Sequence, residues 1–301
     1  MKGKMLNSVL IFVVVVFMFD YCIAEEDIIP ITYPGTFESV NKLCTDPKPA
    51  IKSPVDIEYY NSKGHMAFPG NPKIVLDRTF YRRVNSRQLK FVEKNFTEEN
   101  EEKTYHELEM DIKEIGTAYV KVYNVTYEYK PYALRLHVYS EHTFEGTKMD
   151  MEIQIMHNIA TLSVQSPSIV PSKIGLAVLF SVARNKHSSF VEEFIETLDE
   201  ETEEAYKYVF GQTKSLDLNQ FFNFWEPFYH YKGSGTSPEE YCNEVDWFVM
   251  KKVQNMSQDQ LKKILLILAN KQYPNGNAKD VEINQKPLVN YCPNVEPDED
   301  E

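Results

Sequence analysis

Alternating apolar and polar residues indicate a β-sheet in the middle of the chain. From position 149 to 155 the odd-numbered residues are methionine or isoleucine and the even-numbered ones are polar, which is the period of a half-buried strand. The preceding segment carries Arg135 and His137 two residues apart, so both lie on one face of a second predicted strand. If the two strands are neighbours, Arg135 and His137 point towards Glu152 and Gln154 across the sheet.

Two later segments have the period of amphipathic helices. Residues 189–192 read Ser-Phe-Val-Glu and residues 257–260 read Ser-Gln-Asp-Gln, and both favour a helix start of the capping-box type. The apolar stripes predicted to be buried are Phe190, Phe194, Ile195 and Leu198 in the first helix, and Leu261, Ile264, Leu265 and Leu268 in the second. Without an internal repeat or a Gly/Ser-rich linker, the length favours a single β-rich domain with few, peripheral helices.

The N-terminus has the pattern of a secretory signal peptide. Two lysines precede an apolar run, and Ala24 follows the run just before an acidic pair. We therefore expect residues 1–24 to be removed, with an uncleaved signal anchor as the alternative. No later apolar stretch is long enough to span a bilayer, so we expect a protein that is secreted or lies in the lumen of the secretory pathway. Residues 25–43 are predicted to be an extended segment, 44–295 a domain and 296–301 an acidic tail.

The charge balance excludes some classes of partner. The chain carries a formal net charge of −13 at pH 7, and so acidic a protein is poorly suited to bind nucleic acid or an anionic membrane. One basic group stands out at near-helical spacing, formed by Arg78, Arg82, Arg83, Arg87, Lys90 and Lys94. We interpret it as a solvated face, and a binding stripe for a sulfated glycan or an acidic partner is the alternative.

Several motifs in order along the chain resemble the α-carbonic anhydrases. Within 129–158 the residues similar to the zinc-binding core of that family are Ser140, Glu141, His142, Thr143, Glu152 and His157. Similar stretches follow the family's order at 52–57, 175–179, 228–238 and 284–288, so the resemblance covers most of the chain from Cys44 to Asn294. It implies a mainly β (α+β) fold with a large, twisted, mostly antiparallel central sheet and peripheral helices.

The resemblance also locates the metal-ligand positions. In the family three histidines hold zinc, and counting from the matched residues places those positions at Arg135, His137 and Gln154. A guanidinium is always protonated and has no lone pair to give, while an amide oxygen suits calcium or magnesium better than zinc. We therefore expect no cofactor and no hydratase chemistry, because without zinc no bound water reaches a pKa near neutrality.

Other positions of the family's site are better preserved. Glu141 and Thr236 match the pair that orients the zinc-bound hydroxide, and Glu152 matches the carboxylate that bonds the third ligand. Thr117 stands where many active members carry a proton-shuttle histidine, and a threonine does not titrate near neutral pH. The apolar wall of the pocket is predicted at Met156, Val178 and Gly235, the last in place of a leucine.

The charge of Arg135 requires a partner or exposure to water. Our hypothesis is that the guanidinium pairs with Glu152 or Glu141 and substitutes for the metal's charge, and the alternative is a solvent-facing arginine. A zinc site rebuilt with His142 or His157 is disfavoured, because His142 is structural in the family and His157 lies on the strand face opposite Gln154.

The cysteines and sequons fit a secretory protein. The resemblance implies a disulfide between Cys44 and Cys242, which leaves Cys292 free or available for an intermolecular bond. Asn-x-Ser/Thr sequences begin at Asn95, Asn124 and Asn255, and each is a candidate for glycosylation.

The resemblance implies a secreted carbonic-anhydrase-related protein that has lost catalysis and serves as a recognition module for an unknown protein or glycan. The alternative is an active, zinc-dependent α-carbonic anhydrase that hydrates carbon dioxide to bicarbonate with an atypical metal site. A third hypothesis for the function is a glycan-binding surface formed by the basic group.

Overall fold

The computed structural model describes residues 51–57, 74–85, 90–98, 101–113, 115–123, 125–160, 170–198, 215–222, 227–237, 240–270, 277–278 and 290–292. All of them belong to one unit of the chain, Thr36–Glu301. The predicted signal peptide at 1–24, the segment 25–43 and the tail 296–301 lie outside the described residues and stay predictions.

Strands account for most of the described residues. They are β1 (Asp56–Ile57), β2 (Ile74–Tyr81), β3 (Val84–Asn85), β4 (Lys90–Glu98), β5 (Glu101–Asp111), β6 (Gly116–Val122), β7 (Val125–His137), β8 (Thr143–Phe144), β9 (Thr147–Lys148), β10 (Met151–Ile159), β11 (Lys173–Val182), β12 (Ser215–Leu216), β13 (Phe228–Ser234), β14 (Glu244–Met250), β15 (Gln254–Met256) and β16 (Asn290–Cys292). The helices are α1 (Ser189–Leu198), a 3-10 turn (Leu218–Phe221) and α2 (Gln258–Asn270).

An eleven-stranded sheet forms the centre of the unit. Eight strands follow the order β16-β13-β14-β11-β10-β7-β5-β4, with β15 joined to β11 and β2 joined through β6 to β7. The pairings in this sheet are antiparallel except those of β11 with β14 and with β15. The predicted fold class, a large and mostly antiparallel sheet with peripheral helices, is confirmed.

Strand β10 is buried on both of its faces. Ile153 and Ile155 pack in the larger apolar cluster of the sheet, whereas Met156 packs in a second cluster on the other face together with Trp247. The prediction of a half-buried strand is wrong in this respect, because the face with Glu152 and Gln154 is also covered. Buried polar groups are costly unless they are hydrogen-bonded, so the side chains on this face must find their partners inside the protein.

Both predicted helices are present and begin with serine caps. In α2 the capping box is confirmed, because Ser257 Oγ accepts a bond of 3.1 Å from Gln260 N and Gln260 Oε1 accepts one of 3.0 Å from Ser257 N. In α1 the cap is Ser188 rather than Ser189, since Ser188 Oγ accepts from Val191 N at 3.2 Å. Among the described residues, no helix has the length and apolar character needed to cross a membrane.

The described members of the basic group do not lie on a helix. Arg78 is in β2 and Lys90 and Lys94 are in β4, so the near-helical interpretation of their spacing is wrong. Residues four apart share a face in a strand as well as in a helix, and this explains the ambiguity. The Arg78 guanidinium lies 4.7 Å from the ring centroid of Tyr119, whereas Arg87 lies outside the described residues.

Candidate functional site

The register of β7 and β10 brings the predicted site residues together. His137 pairs with Glu152, and Arg135 pairs with Gln154, so the predicted opposition of these side chains across the sheet is confirmed. All four residues are buried. They share the sheet face of the second apolar cluster, which includes Ala133 in β7 and Met156 in β10.

Arg135 is held by two carboxylates from other parts of the fold. Its Nε donates to Glu109 Oε2 at 3.0 Å, from the neighbouring strand β5, and its Nη1 donates to Glu240 Oε2 at 2.8 Å. The side chain is only 2% exposed, so the alternative of a solvent-facing arginine is wrong. The hypothesis of a pairing with Glu141 or Glu152 is corrected to Glu109 and Glu240.

Glu240 connects Arg135 to two further donors. Its Oε1 accepts a hydrogen bond from the Tyr132 hydroxyl and lies 3.5 Å from Lys173 Nζ. Burial alone would raise the pKa of the Glu240 carboxyl, but the charge of Arg135 and the bonds from Tyr132 and Arg135 outweigh it and hold this pKa below its usual value. Burial, followed by the charge of Glu240, raises the pKa of the Tyr132 phenol well above its usual value.

Glycine at position 235 allows Glu240 to approach. A Cβ added to Gly235 would lie 2.4 Å from Glu240 Cβ and 2.8 Å from Glu240 O, closer than real Cβ contacts. Gly235 N also donates to Glu240 O at 3.2 Å. The sequence predicts Gly235 in the apolar wall but does not predict Glu240, although the missing side chain at position 235 is a signal that another residue comes close there. Val178 is also corrected, because it packs in the larger cluster on the other sheet face.

Gln154 uses both ends of its amide. Its Nε2 donates to Glu141 Oε2 at 2.8 Å and to Glu152 Oε1 at 2.9 Å, while its Oε1 accepts from Thr236 Oγ1 at 2.8 Å. The two hydrogens of the amide nitrogen are therefore matched to two carboxylates. The predicted pair of Thr236 and Glu141 is brought together here, with the Gln154 amide between them.

Glu152 and His142 form the next step of the buried network. Glu152 Oε2 accepts from the backbone N of Glu141 and of His142, each at 2.8 Å, and Oε1 lies 2.7 Å from His142 Nδ1. Burial opposes ionisation, but the His142 charge and hydrogen bonds from His142 and Gln154 outweigh it and lower the pKa of Glu152 to about 2. His142 Nε2 lies 2.7 Å from the Tyr231 hydroxyl, so this ring is held at both nitrogens, as expected for a structural histidine.

His137 differs from the other polar residues of this face. The ring is fully buried, and neither nitrogen has a hydrogen-bond partner among the described residues. Glu141 Oε1 lies 3.5 Å from its Nδ1. Buried polar atoms are usually bonded, so this ring is the one unsatisfied member of the ligand-position trio in the described part of the chain.

The side chains at the three ligand positions do not fit a catalytic zinc ion. Such a site needs three donor side chains and an open position for water. Arg135 supplies a buried positive charge and no donor, and the Gln154 oxygen already accepts a bond from Thr236. Within the described ranges no group of three or more His, Cys, Asp or Glu residues could hold a metal ion.

His157 takes no part in this face of the sheet. Its Nε2 lies 2.8 Å from the Tyr81 hydroxyl, and the ring is fully buried. Burial lowers the pKa of His157 to about 3, because the charged form would lose its hydration. Tyr81 belongs to the larger apolar cluster, which agrees with the prediction that His157 lies opposite Gln154.

Thr117 lies near the start of β6 and bonds to charged neighbours. Lys130 Nζ donates to Thr117 Oγ1 at 2.9 Å, and this hydroxyl donates to Glu128 Oε1 at 3.5 Å. The hydroxyl does not titrate near neutral pH, so this position has no group that could exchange protons there.

The secretory features are described only in part. Cys242 is disulfide-bonded, whereas Cys44 lies outside the described residues, so the predicted pairing of the two stays a prediction. The state of Cys292 also stays a prediction. Asn124 lies outside the described residues, so its glycosylation stays a prediction too. Asn95 lies in β4, and Asn255 is exposed in β15, where the side chain is accessible for modification.

Comparisons with known proteins agree with this architecture. The family model "Eukaryotic-type carbonic anhydrase" matches residues 50–292. Carbonic anhydrase Nec1 of Nesocodon mauritianus is 26% identical over 159 residues, which are 52% of this chain and 52% of that protein. Alpha carbonic anhydrase 7 of Arabidopsis thaliana is 29% identical over 171 residues, 56% of each chain. The chain thus spans about half the length of these curated relatives.

Solved structures show the same fold at low identity. A halotolerant carbonic anhydrase from Dunaliella salina aligns with a TM-score of 0.54 at 14% identity, covering 87% of this chain and 93% of that one. Dioscorin in complex with ascorbate aligns with a TM-score of 0.51 at 21% identity, covering 82% of this chain and 87% of that one.

Proposed function

Because the chain belongs to the eukaryotic-type carbonic anhydrase family, we propose that it is a secreted, zinc-free member that does not hydrate carbon dioxide and serves as a binding domain. The observation that carries this proposal is Arg135, a buried guanidinium at a ligand position, bonded to Glu109 and Glu240. A divalent cation beside that guanidinium would meet a like charge in a region of low dielectric, where repulsion is poorly screened.

Gln154 supports the same proposal from the other strand. Its amide nitrogen is directed at Glu141 and Glu152, and its oxygen accepts from Thr236. In the family an imidazole that binds zinc stands at this position. Here the Gln154 amide instead makes hydrogen bonds to Glu141, Glu152 and Thr236. The polar side chains of Glu141, Glu152 and Thr236 thereby have partners without a metal, as a domain retained for binding requires.

A second candidate function is an α-carbonic anhydrase with an atypical metal site. The observation in its favour is His137, whose two ring nitrogens have no hydrogen-bond partner among the described residues. Zinc analysis separates the two candidates. We expect protein purified without chelators to contain zinc far below one ion per chain and to show no acetazolamide-sensitive hydration of carbon dioxide.

The control is the variant Arg135→His/Gln154→His, which restores three imidazoles. We expect it to bind zinc near stoichiometrically, because zinc then supplies the positive charge beside Glu109 and Glu240. Adding His137→Ala should abolish this binding, because it removes one of the three imidazoles. Zinc in the wild type that disappears in His137→Ala, together with acetazolamide-sensitive hydration, would overturn the proposal.

The proposed partner is a protein or a glycan. A net charge of −13 opposes binding to nucleic acid or to anionic lipid. The exposed Arg82 and Arg83 allow a simple test of the glycan class. Retention on immobilised heparin that falls with salt and disappears in Arg82→Glu/Arg83→Glu would identify a glycan, and no retention would leave a protein partner.

Secretion is tested by the N-terminus of the product. Expressed in a eukaryotic cell line, the protein should be recovered from the medium with Glu25 as its first residue, as the predicted signal peptide requires. Protein that stays in the cells with residues 1–24 attached would contradict this part of the proposal.

A further inference from the structure

We propose that Tyr132, Arg135 and Lys173 form a carboxylate-binding site, that Glu240 fills it from within the chain, and that a small monocarboxylate binds there when the Glu240 side chain is removed. This inference rests on the proposed function in one respect. The Arg135 guanidinium can hold a carboxylate only if no zinc ion displaces it from the ligand position.

The bonds to Glu240 have the pattern of carboxylate recognition. Oε2 accepts from Arg135 Nη1 at 2.8 Å, while Oε1 accepts from the Tyr132 hydroxyl and lies 3.5 Å from Lys173 Nζ. A carboxylate only accepts hydrogen bonds, and bonds from charged donors are the strongest that it makes. The site is well shielded from water, since the side chain of Arg135 is 2% exposed and that of Glu240 is 8% exposed.

The donors and the carboxylate come from different kinds of structure. Tyr132 and Arg135 are in β7 and Lys173 begins β11, so all three donors are fixed in the central sheet. Glu240 instead lies in a turn, where its backbone N donates to Ser237 O at 2.9 Å. Removing the Glu240 side chain therefore leaves the donors in place, because rigid sheet strands hold them independently of the turn.

Charge balance defines the class of ligand. Two cations, Arg135 and Lys173, lie beside the Glu240 carboxylate, and Glu109 is a second carboxylate bonded to Arg135. Removing the Glu240 side chain takes away one negative charge, and it leaves Arg135 Nη1 and the Tyr132 hydroxyl without the carboxylate to which they donate, in a place with little access to water. A single monoanion with two planar oxygens, such as acetate or formate, restores both the charge and the hydrogen bonds.

Gly235 explains how the chain can fill its own site. Any side chain at this position would overlap the backbone and Cβ of Glu240, which lie 2.4–2.8 Å from the place of a Cβ. The glycine thus lets the turn come close enough for the carboxylate to reach Arg135.

The test is chemical rescue of Glu240→Ala. We expect acetate to raise the thermal midpoint of this variant by about 3 to 5 °C at ten times its dissociation constant, with chloride of equal ionic strength as reference. The wild type should show no such acetate-specific rise, because its own carboxylate fills the site. The control Glu244→Ala, in an exposed pair with Lys232, should respond like the wild type.

A second variant identifies the donors. Tyr132→Phe/Glu240→Ala should bind acetate about tenfold more weakly than Glu240→Ala, since one hydrogen bond is lost. If Glu240→Ala folds poorly, its refolding yield should rise with acetate and not with chloride. Equal responses to acetate and chloride in both measurements would overturn the inference. Zinc bound by the wild type would instead overturn the proposed function, so the two failures are distinguishable.

Discussion

Replacing Arg135 with methionine removes a buried cation while keeping most of the side-chain volume. The variant leaves Glu109 and Glu240 without the guanidinium that both accept bonds from, at 3.0 and 2.8 Å in the wild type. Glu240 is shielded from water and Glu109 is mostly so, with side chains 8% and 19% exposed. Breaking a buried ion pair by removing one partner costs about 3 to 5 kcal/mol.

The expected loss lies near the lower end of that range. Glu109 is partly hydrated, and Glu240 keeps Lys173 at 3.5 Å, so we expect Arg135→Met to lower the free energy of unfolding by about 3 kcal/mol. The double variant Arg135→Met/Glu240→Gln removes one of the stranded charges as well. We expect it to recover about 1 to 2 kcal/mol of the loss, which a double-mutant cycle reports as coupling between the two positions.

Equilibrium unfolding in urea, followed by circular dichroism with the disulfide of Cys242 intact, measures these differences. The matched control is Lys113→Met, which removes an exposed pair with Asp111 and should change the free energy of unfolding by at most about 0.5 kcal/mol because solvent screens it. An Arg135→Met variant as stable as this control would refute the reasoning, since the guanidinium would then contribute nothing to holding the two carboxylates.

Two further changes test the packing and the ionisation of the fold. Burial lowers the pKa of His157 to about 3 from an ordinary 6.5, so the unfolded chain binds the proton first, and this residue's stabilisation is complete above pH 6.5 and lost as the pH falls towards 3. The free energies of unfolding measured in urea at pH 7 and pH 4.5 should therefore differ less in His157→Gln than in the wild type, by on the order of 2 kcal/mol, and equal differences would contradict this. Gly235→Ala should cost about 1 to 3 kcal/mol, because its Cβ would overlap Glu240. An unchanged urea midpoint for Gly235→Ala would show that the turn moves freely.

The sequence predicts the sheet and the opposition of the site residues because both follow from local periodicity. Alternation fixes which face each residue occupies, and the matched residues around Glu141 fix the register of β7 against β10. The partners of Arg135 are not predictable in this way. Glu109 and Glu240 lie 26 and 105 residues away in the chain, and only the complete tertiary fold brings them to the guanidinium.

Errors in face assignment have a similar origin. Val178 was placed in the pocket wall by similarity, yet it pairs with Ile153 and packs in the larger cluster, while its neighbour Ala177 pairs with Gln154. A shift of one residue reverses the face in a strand. A comparison can therefore identify the right strand and still place a residue on the wrong face. The near-helical interpretation is wrong for Arg78, Lys90 and Lys94, which lie in strands, because a spacing of four residues suits a helix and a strand equally.

The contacts of Arg135 and Gln154 also predict how zinc binding responds to single changes. Arg135→His alone leaves Glu109 and Glu240 without the guanidinium that both accept bonds from. It also lacks a third imidazole, because Gln154 is still in place and its amide oxygen accepts from Thr236. Gln154→His alone places an imidazole next to the fixed charge of Arg135, which opposes a metal ion. Each single change therefore loses buried contacts before it completes a ligand set, whereas the double change removes the charge and supplies both donors at once.

We accordingly expect zinc content as low as that of the wild type in both single variants and a rise towards one ion per chain only in the double variant. Metal analysis after extensive dialysis, with His137→Ala added to each variant as the control, measures this non-additivity. Stoichiometric zinc in Gln154→His alone would show that the guanidinium moves away from the ligand position and that its bonds to Glu109 and Glu240 do not fix it there.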